Sequence, residues 1–173
     1  MSEEEYSFGV AGPEDIGAIR RIEADPRYEG LVGRWSEIQH REEMARGSSR
    51  YFVLRDGSGA VAAFALLQGF GDADRKLHLK RIAAREPGQG LGSRLLETLL
   101  DHLYATTDVN RIDLDVFLGN DRARRAYEKA GFQVEGVLRD NHRRPDGSFS
   151  SQWLMSVLRV DRAALRPNGS SRD

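Results

Sequence analysis

Apolar residues recur along this chain in two periods, and the switches between them outline its elements. Tyr6–Ala11 reads as a short strand. Behind Pro13, which suits a first helical turn, Ile16, Ile19 and Ile22 share one face, predicting a helix to about Asp25. A loop from Pro26 to Gly33 follows. Ser36 and Gln39 make a capping-box pattern that opens a second helix, and Gly47 stands where it should end. Two apolar runs, Tyr51–Arg55 and Ala60–Gln68, flank the turn-forming "DGSG" of Asp56–Gly59 and predict a hairpin. Lys76–Ala84 alternates as a strand with both faces in use.

The second half of the chain repeats these periods. Leu91, Leu95, Leu99 and Leu103, widened by Leu96 and Leu100, form a helical apolar stripe. Ile112, Leu114 and Val116 alternate in a strand over Arg111–Phe117. Ala123, Ala126, Tyr127 and Ala130 mark one face of a helix that starts near Asn120 and is closed by Gly131. Two strands, Phe132–Arg139 and Ser148–Arg159, are joined across the "RPDG" turn of Arg144–Gly147. The order βααβββαβαββ predicts a single α/β domain over residues 6–160, with a mixed, mainly antiparallel central sheet flanked by helices.

Composition narrows the function more than the fold. With 26 basic and 27 acidic residues among 173, there is no electrostatic case for nucleic acid or a membrane surface. Apolar runs such as Val61–Leu67 fall far short of the ~20 residues a membrane span needs. The start, "MSEEEYSF", is acidic and has no apolar signal core, which predicts a cytoplasmic setting. Cysteine is absent, excluding disulfides, thiolate zinc sites and a cysteine nucleophile. The four histidines form no metal-ligand spacing, so no metal is expected. Met1–Glu5 and Pro167–Asp173 read as disordered tails.

The most informative stretch is "REPGQGLGSRLLETLL", Arg85–Leu100, which sets Gly88, Gly90 and Gly92 directly before the leucine-rich helix. Glycine disfavours helix, so its use here needs a reason. A tight turn is one. The other is an anion site, where unpaired amides and the helix dipole face a ligand that glycine allows to come close. The P-loop pattern fails, because Gly92 is followed by Ser93 and Arg94 rather than Lys and a hydroxyl residue. A dinucleotide turn stays open: Gly88 and Gly90 fit, Ser93 replaces the third glycine, and Asp113 and Asp115 follow at ribose-binding distance. Against it, the chain finishes with a hairpin rather than further βαβ units.

"GQGLGSRLL", followed by "NDRARRAYEKAGF" at Asn120–Phe132, resembles the GNAT N-acetyltransferase superfamily over nearly the whole chain, strand order included. The tail "EGVLRDNHRRPDGSFSSQWLMSVL" resembles the branch holding polyamine and ribosomal-protein alanine acetyltransferases. The resemblance implies acetyl-CoA as co-substrate, its pyrophosphate held by the amides of Gly88, Gln89, Gly90, Leu91, Gly92 and Ser93. It implies that the backbone of Ile82, Ala83 and Ala84 pairs with the pantetheine arm, and that Asn120 contacts the coenzyme. It also implies a homodimer through the last strands. One position departs from the pattern. Pro87 stands where the family usually has Arg or Gln, and proline has no N–H, so Arg85, Arg94 or Arg124 would have to supply a phosphate contact.

Acetyl transfer to a primary amine, on a small molecule or a protein N-terminus, needs a base, because a lysine-like amine has a pKa of about 10.4. The departing thiolate benefits from an acid, and Tyr127 matches the family's tyrosine; from spacing alone it is also a core residue of the alanine face. Glu37 and His40, one helical turn apart near Trp35, are base candidates, with His78 and Glu86 as others. Against them stand ordinary roles: Glu37 favouring a helix dipole and His40 solvated. Asp113 and Asp115 read as a polar sheet face, and Arg122, Arg124 and Arg125 as a solvated helix face, with a coenzyme phosphate as the alternative partner of one of them. A catalytically inactive coenzyme-binding module, of a different functional class, remains an alternative.

Overall fold

The computed structural model describes residues 6–165, so the tails at Met1–Glu5 and residues 167–173 lie outside the described residues. The elements run β1 (Ser7–Val10), α1 (Ile16–Glu23), α2 (Glu37–Met44), β2 (Ser49–Arg55), β3 (Val61–Gln68) and β4 (Lys76–Ala84). They continue with α3 (Leu91–Thr106), β5 (Arg111–Phe117), α4 (Asp121–Lys129), β6 (Gln133–Arg143), β7 (Phe149–Leu158) and α5 (Arg159–Leu165). The predicted order is therefore observed, with α5 added at the end. Short 3-10 turns at Pro13–Asp15 and Pro26–Tyr28 break up what the sequence presents as helix start and loop. The capping box forms as expected, Ser36 accepting from the Gln39 amide at 3.2 Å.

Seven strands form one sheet in the order β1-β2-β3-β4-β5-β7-β6. Every neighbouring pair is antiparallel except β4 and β5. The leucine stripe of α3 lies against one face, and Leu95, Leu96, Leu99 and Leu100 are buried there with Leu77, Leu79, Ile112 and Leu114. Ile19 and Ile22 of α1 cover the other face over Val53, Phe64 and Leu66. Burial of each such side chain stabilises the fold by about 1.5–3 kcal/mol.

Helix α5 is fastened by two arginines whose apolar surroundings give no periodic signal. The Arg159 guanidinium donates to the carbonyls of Tyr104 and Thr107, each at 2.7 Å. Arg162 is buried and donates to Glu97 and to Asp101. Arginine hydrogen bonds to carbonyls and carboxylates, rather than an apolar stripe, hold this last element.

Candidate active site

The parallel pair β4 and β5 stays together over only three residues, Lys76–His78 against Arg111–Asp113, and then parts. The cause lies in their other partners. β5 follows β7 along its whole length, whereas β4 follows β3 through a bulge in which Leu66 faces Arg81 and Leu67 faces Leu79, leaving Lys80 as the extra residue. A bulge bends and twists its strand. A cleft of about 620 Å³ opens in the fork.

One wall of the cleft is strand edge. The Arg85 amide donates to the Ala62 carbonyl of the β3 side at 2.8 Å, so antiparallel alternation turns the polar groups of Ala84 and Ile82 the other way, into the fork. The groups of Ala84 are already bonded. The Tyr28 hydroxyl donates to the Ala84 carbonyl and accepts from its amide, both at 2.8 Å. The edge that a ligand could extend thus lies at Ile82 and toward the bulge.

The cleft floor leads to the start of α3. Gly88 and Gly90 both take left-handed backbone, at φ +87° and +78°, which side-chain-bearing residues rarely adopt. Gly90 is the N-cap and supplies no side-chain cap. The first intrahelical bond runs from Arg94 to the Gly90 carbonyl at 2.9 Å, and among the described residues the amides of Leu91, Gly92 and Ser93 have no backbone partner. Pro87 lines the cleft beside them without an amide to offer. Arg122 stands beside the loop, its guanidinium 3.3 Å from where a Gly88 side chain would begin. Unbonded amides, a helix N-terminus and this guanidinium together suit a pyrophosphate.

Facing these amides across the cleft are Asn120, Ala123, Ala126 and Tyr127 of the α4 segment. Asn120 caps α4, accepting from Ala123 at 3.4 Å, while also lining the cleft, so its two expected roles coexist. Tyr127 packs its ring edge-on against Phe132 with centroids 5.7 Å apart. Burial, with a smaller contribution from the nearby Tyr28, pushes its pKa up to about 12. The phenol therefore keeps its proton at any physiological pH.

The model of the acetyltransferase (GNAT) family matches residues 16–132, spanning the fork, the glycine loop and Tyr127. The chain belongs to that family. A kanamycin resistance protein from Rhizobium radiobacter is 39% identical over 64 residues, 37% of this chain and 56% of that protein. A spermine/spermidine N(1)-acetyltransferase from Bacillus subtilis is 40% identical over 57 residues, 33% of this chain and 38% of that protein. The matched segments thus span about half or less of these curated relatives. A crystal structure of spermidine N-acetyltransferase from Vibrio cholerae in complex with CoA and spermine superposes with a TM-score of 0.78, at 19% identity, over 91% of this chain and 97% of that one. At that identity the likeness is one of fold.

Within this GNAT fold the sequence-predicted site residues separate. Ile82, Ala84, Gly88, Gly90, Gly92, Ser93, Asn120 and Tyr127 all line the cleft. The side chains of Ala83 and Leu91 are buried in the two core layers instead, and Gln89 is not among the lining residues. Neither favoured base candidate reaches the cleft. Glu37 is on the exposed face of α2, bonded to Arg41 at 2.8 Å. His40 is fully buried rather than solvated, with Nδ1 2.9 Å from the Tyr51 hydroxyl and Nε2 3.1 Å from Glu23. With both ring nitrogens engaged, it has none to offer a substrate. Glu23 also binds Arg81 at 2.7 Å, and Arg81 lies over the Trp35 ring at 4.0 Å, so this network braces the cleft wall from behind.

The cationic expectations also change. Arg85 pairs with Asp56 at 2.9 Å, Arg94 lies over Tyr6, and Arg124 bonds Glu128 while lying over Trp153. All three thus have partners elsewhere in the chain, whereas Arg122 is beside the loop. Sequence reading also passes over Tyr28, and takes Asp115 together with Asp113 for a polar sheet face. Asp115 is the one acidic residue among those lining the cleft, bonded by the Asn141 amide at 3.3 Å. Its strand alternation was visible, but only the fork shows that it stands in a cleft while Asp113, two residues earlier, does not.

Proposed function

We propose that this protein is an acetyl-CoA-dependent N-acetyltransferase that moves acetyl directly to a primary amine within one ternary complex. The observation that carries the reading is the convergence, in one cleft, of a free strand edge at Ile82, unbonded amides at the start of α3 and the protonated hydroxyl of Tyr127. In this reading the loop amides and Arg122 hold the pyrophosphate, and the Ile82 edge holds the pantetheine arm. That arrangement fixes the thioester against the amine, and orientation of this kind supplies much of the rate. The strand amides at the bulge face the oxygen on which charge develops. Tyr127 donates a hydrogen bond to the departing sulfur. With its pKa up at about 12, it stabilises the thiolate as a donor and is never the ionised partner.

The acceptor is a small amine or a protein N-terminus, and Asp115 is placed to attract its ammonium. Relatives named for kanamycin and for spermine/spermidine favour a small amine. Among the described residues no helix is long and apolar enough to cross a membrane. The family resemblance supports a cytoplasmic enzyme and a homodimer joined through the last strands, which light scattering tests. The reaction itself is tested by following thiol release from acetyl-CoA with spermidine, kanamycin and a peptide with N-terminal alanine. Amine-dependent release with one of them is expected; none with any amine, at any pH from 7 to 9, would contradict the reading.

A further inference from the structure

The cleft lining holds one imidazole, His142, but its ring packs edge-on against Phe117 at 5.0 Å and, among the described residues, no carboxylate orients it to take a proton from the acceptor's ammonium. Glu37 and His40 are placed elsewhere, and Asp115 is suited to hold the ammonium rather than to discharge it. The strands that form the fork carry a second arrangement at its base. His78 and Asp113 are the last residues in register before β4 and β5 part. His78 Nδ1 is 2.7 Å from Asp113 Oδ1, and Arg111 binds the other carboxylate oxygen at 3.3 Å.

We propose that His78, oriented by Asp113, is the base of the acetyl transfer and acts through water. This rests on the acetyltransferase reading above. Three features of the pair support it. First, a carboxylate can only accept, so Nδ1 carries the proton and Nε2 is left as the basic nitrogen, an arrangement that also stabilises the imidazolium once formed. Second, the pair lies just below the cleft lining, on a sheet face that it shares with two of the lining residues. His78 is opposite Gln68, on the sheet face covered by α1 and α2, and shares that face with Arg81 of the cleft wall; Asp113 shares a face with Asp115. Residues two apart on a strand are about 6.6–7 Å apart, a gap one or two waters cross. Third, the side chains are 32% and 22% exposed, so water reaches them, in contrast to the sealed His40.

The groups facing this imidazole are mixed in sign. Asp113 and Arg111 approach from β5, and Ser156 of β7 and Glu135 of β6 lie behind Asp113. Gln68 of β3 stands beside His78 and is bonded to Glu43 of α2 at 2.6 Å, with Lys80 two residues further along β4. Burial works against the Asp113 charge, but His78 and Arg111 outweigh it and hold the carboxyl below its ordinary range. The pair's carboxylate is therefore ionised whenever the enzyme works.

The protons balance as follows. The acceptor ammonium gives one proton through water to His78 Nε2, which passes it to solvent. The freed nitrogen bonds the acetyl carbon and the carbon–sulfur bond breaks. The nitrogen's second proton leaves as the amide forms and ends on the sulfur, beside the Tyr127 donor.

His78→Gln and Asp113→Asn test the pair in the intact protein, with kcat/KM followed from pH 6 to 10 and CoA binding followed by thermal shift. The expected result is a loss of about a hundredfold for His78→Gln at pH 7. That loss shrinks as pH rises, because solution then supplies the neutral amine. Asp113→Asn should lower kcat/KM at pH 7 as well, since the imidazole loses the acceptor that fixes its tautomer. CoA-induced stabilisation should stay intact in both. An unchanged rate and profile in His78→Gln, or loss of CoA stabilisation in either variant, would overturn the proposal. Failure of the acetyltransferase reading itself would show instead in the wild type, as absence of amine-dependent thiol release.

Discussion

The cleft wall built by β4 and the start of α3 presents backbone, whereas the wall built by β5, α4 and the 26–33 segment presents side chains. On the first wall, the strand edge at Ile82 and the amides of Leu91, Gly92 and Ser93 come from one run of about a dozen residues. Tyr28, Asp115, Asn120, Arg122 and Tyr127 on the second are drawn from three separated stretches. A backbone wall depends on conformation, so it tolerates changes of side chain but not of φ. A side-chain wall depends on identity and can be altered one residue at a time. The first suits a co-substrate whose structure never varies, and the second a choice of acceptor.

Gly90→Val should break the backbone wall and gives the largest effect. At φ +78° a β-branched residue is strained by about 1–3 kcal/mol, and relief of that strain unwinds the amide cradle. CoA-induced stabilisation should disappear in a thermal-shift assay. Retained CoA binding would mean that the phosphate end is held by Arg122 and its neighbours alone.

Tyr127→Phe tests the opposite wall and should lower kcat about a hundredfold, roughly 2.7 kcal/mol, with CoA affinity unchanged. The wild-type pH profile carries the sign of the account. Because burial pushes the Tyr127 pKa up to about 12, the hydroxyl stays protonated, and the rate should not fall between pH 8 and 10. A descending limb near pH 9 would show that the tyrosine ionises in its ordinary range and that the wall is wetter than its packing implies.

The network that braces the β4 wall from behind should matter to stability rather than chemistry. His40→Leu leaves the Tyr51 hydroxyl and one Glu23 oxygen short of a partner and should cost about 2 kcal/mol. A lower unfolding midpoint with unchanged pH profile is the expected result of parallel melts and assays. Loss of turnover at unchanged stability would restore His40 to the chemistry.

Tyr28→Phe gives the smallest effect and sharpens where the two walls meet. Losing the hydroxyl frees both polar groups of Ala84 to water, about 1 kcal/mol of stability, and should change CoA affinity less than threefold if the arm pairs at Ile82. Tenfold tighter binding in calorimetry would show instead that Tyr28 competes with the coenzyme for Ala84.

Legibility in the sequence follows the same division. The leucine period of α3, the "DGSG" hairpin and the alternation of β5 are local signals, and each element appears where its period places it. The glycine loop is equally local, because positive φ and free amides are properties of a few adjacent residues. The base is different. His40 has the chemistry of a base and a plausible neighbour in Glu37, yet its partners Glu23 and Tyr51 come from other elements. His78 and Asp113 are 35 residues apart and meet only because β4 and β5 run parallel for three residues before parting. Helix α5 escapes for a related reason, since it is held by Arg159 and Arg162 reaching distant carbonyls and carboxylates.

In this reading the loop before α3 is a coenzyme cradle in spite of Pro87. Parallel thermal melts with acetyl-CoA, CoA and NAD test it most directly. A ligand at a hundredfold its dissociation constant adds about 2.7 kcal/mol, or roughly 5–11 °C for a domain of this size. A shift of that order is expected with acetyl-CoA and with CoA, and none with NAD. No shift with acetyl-CoA at millimolar concentration, or a shift with NAD alone, would contradict it.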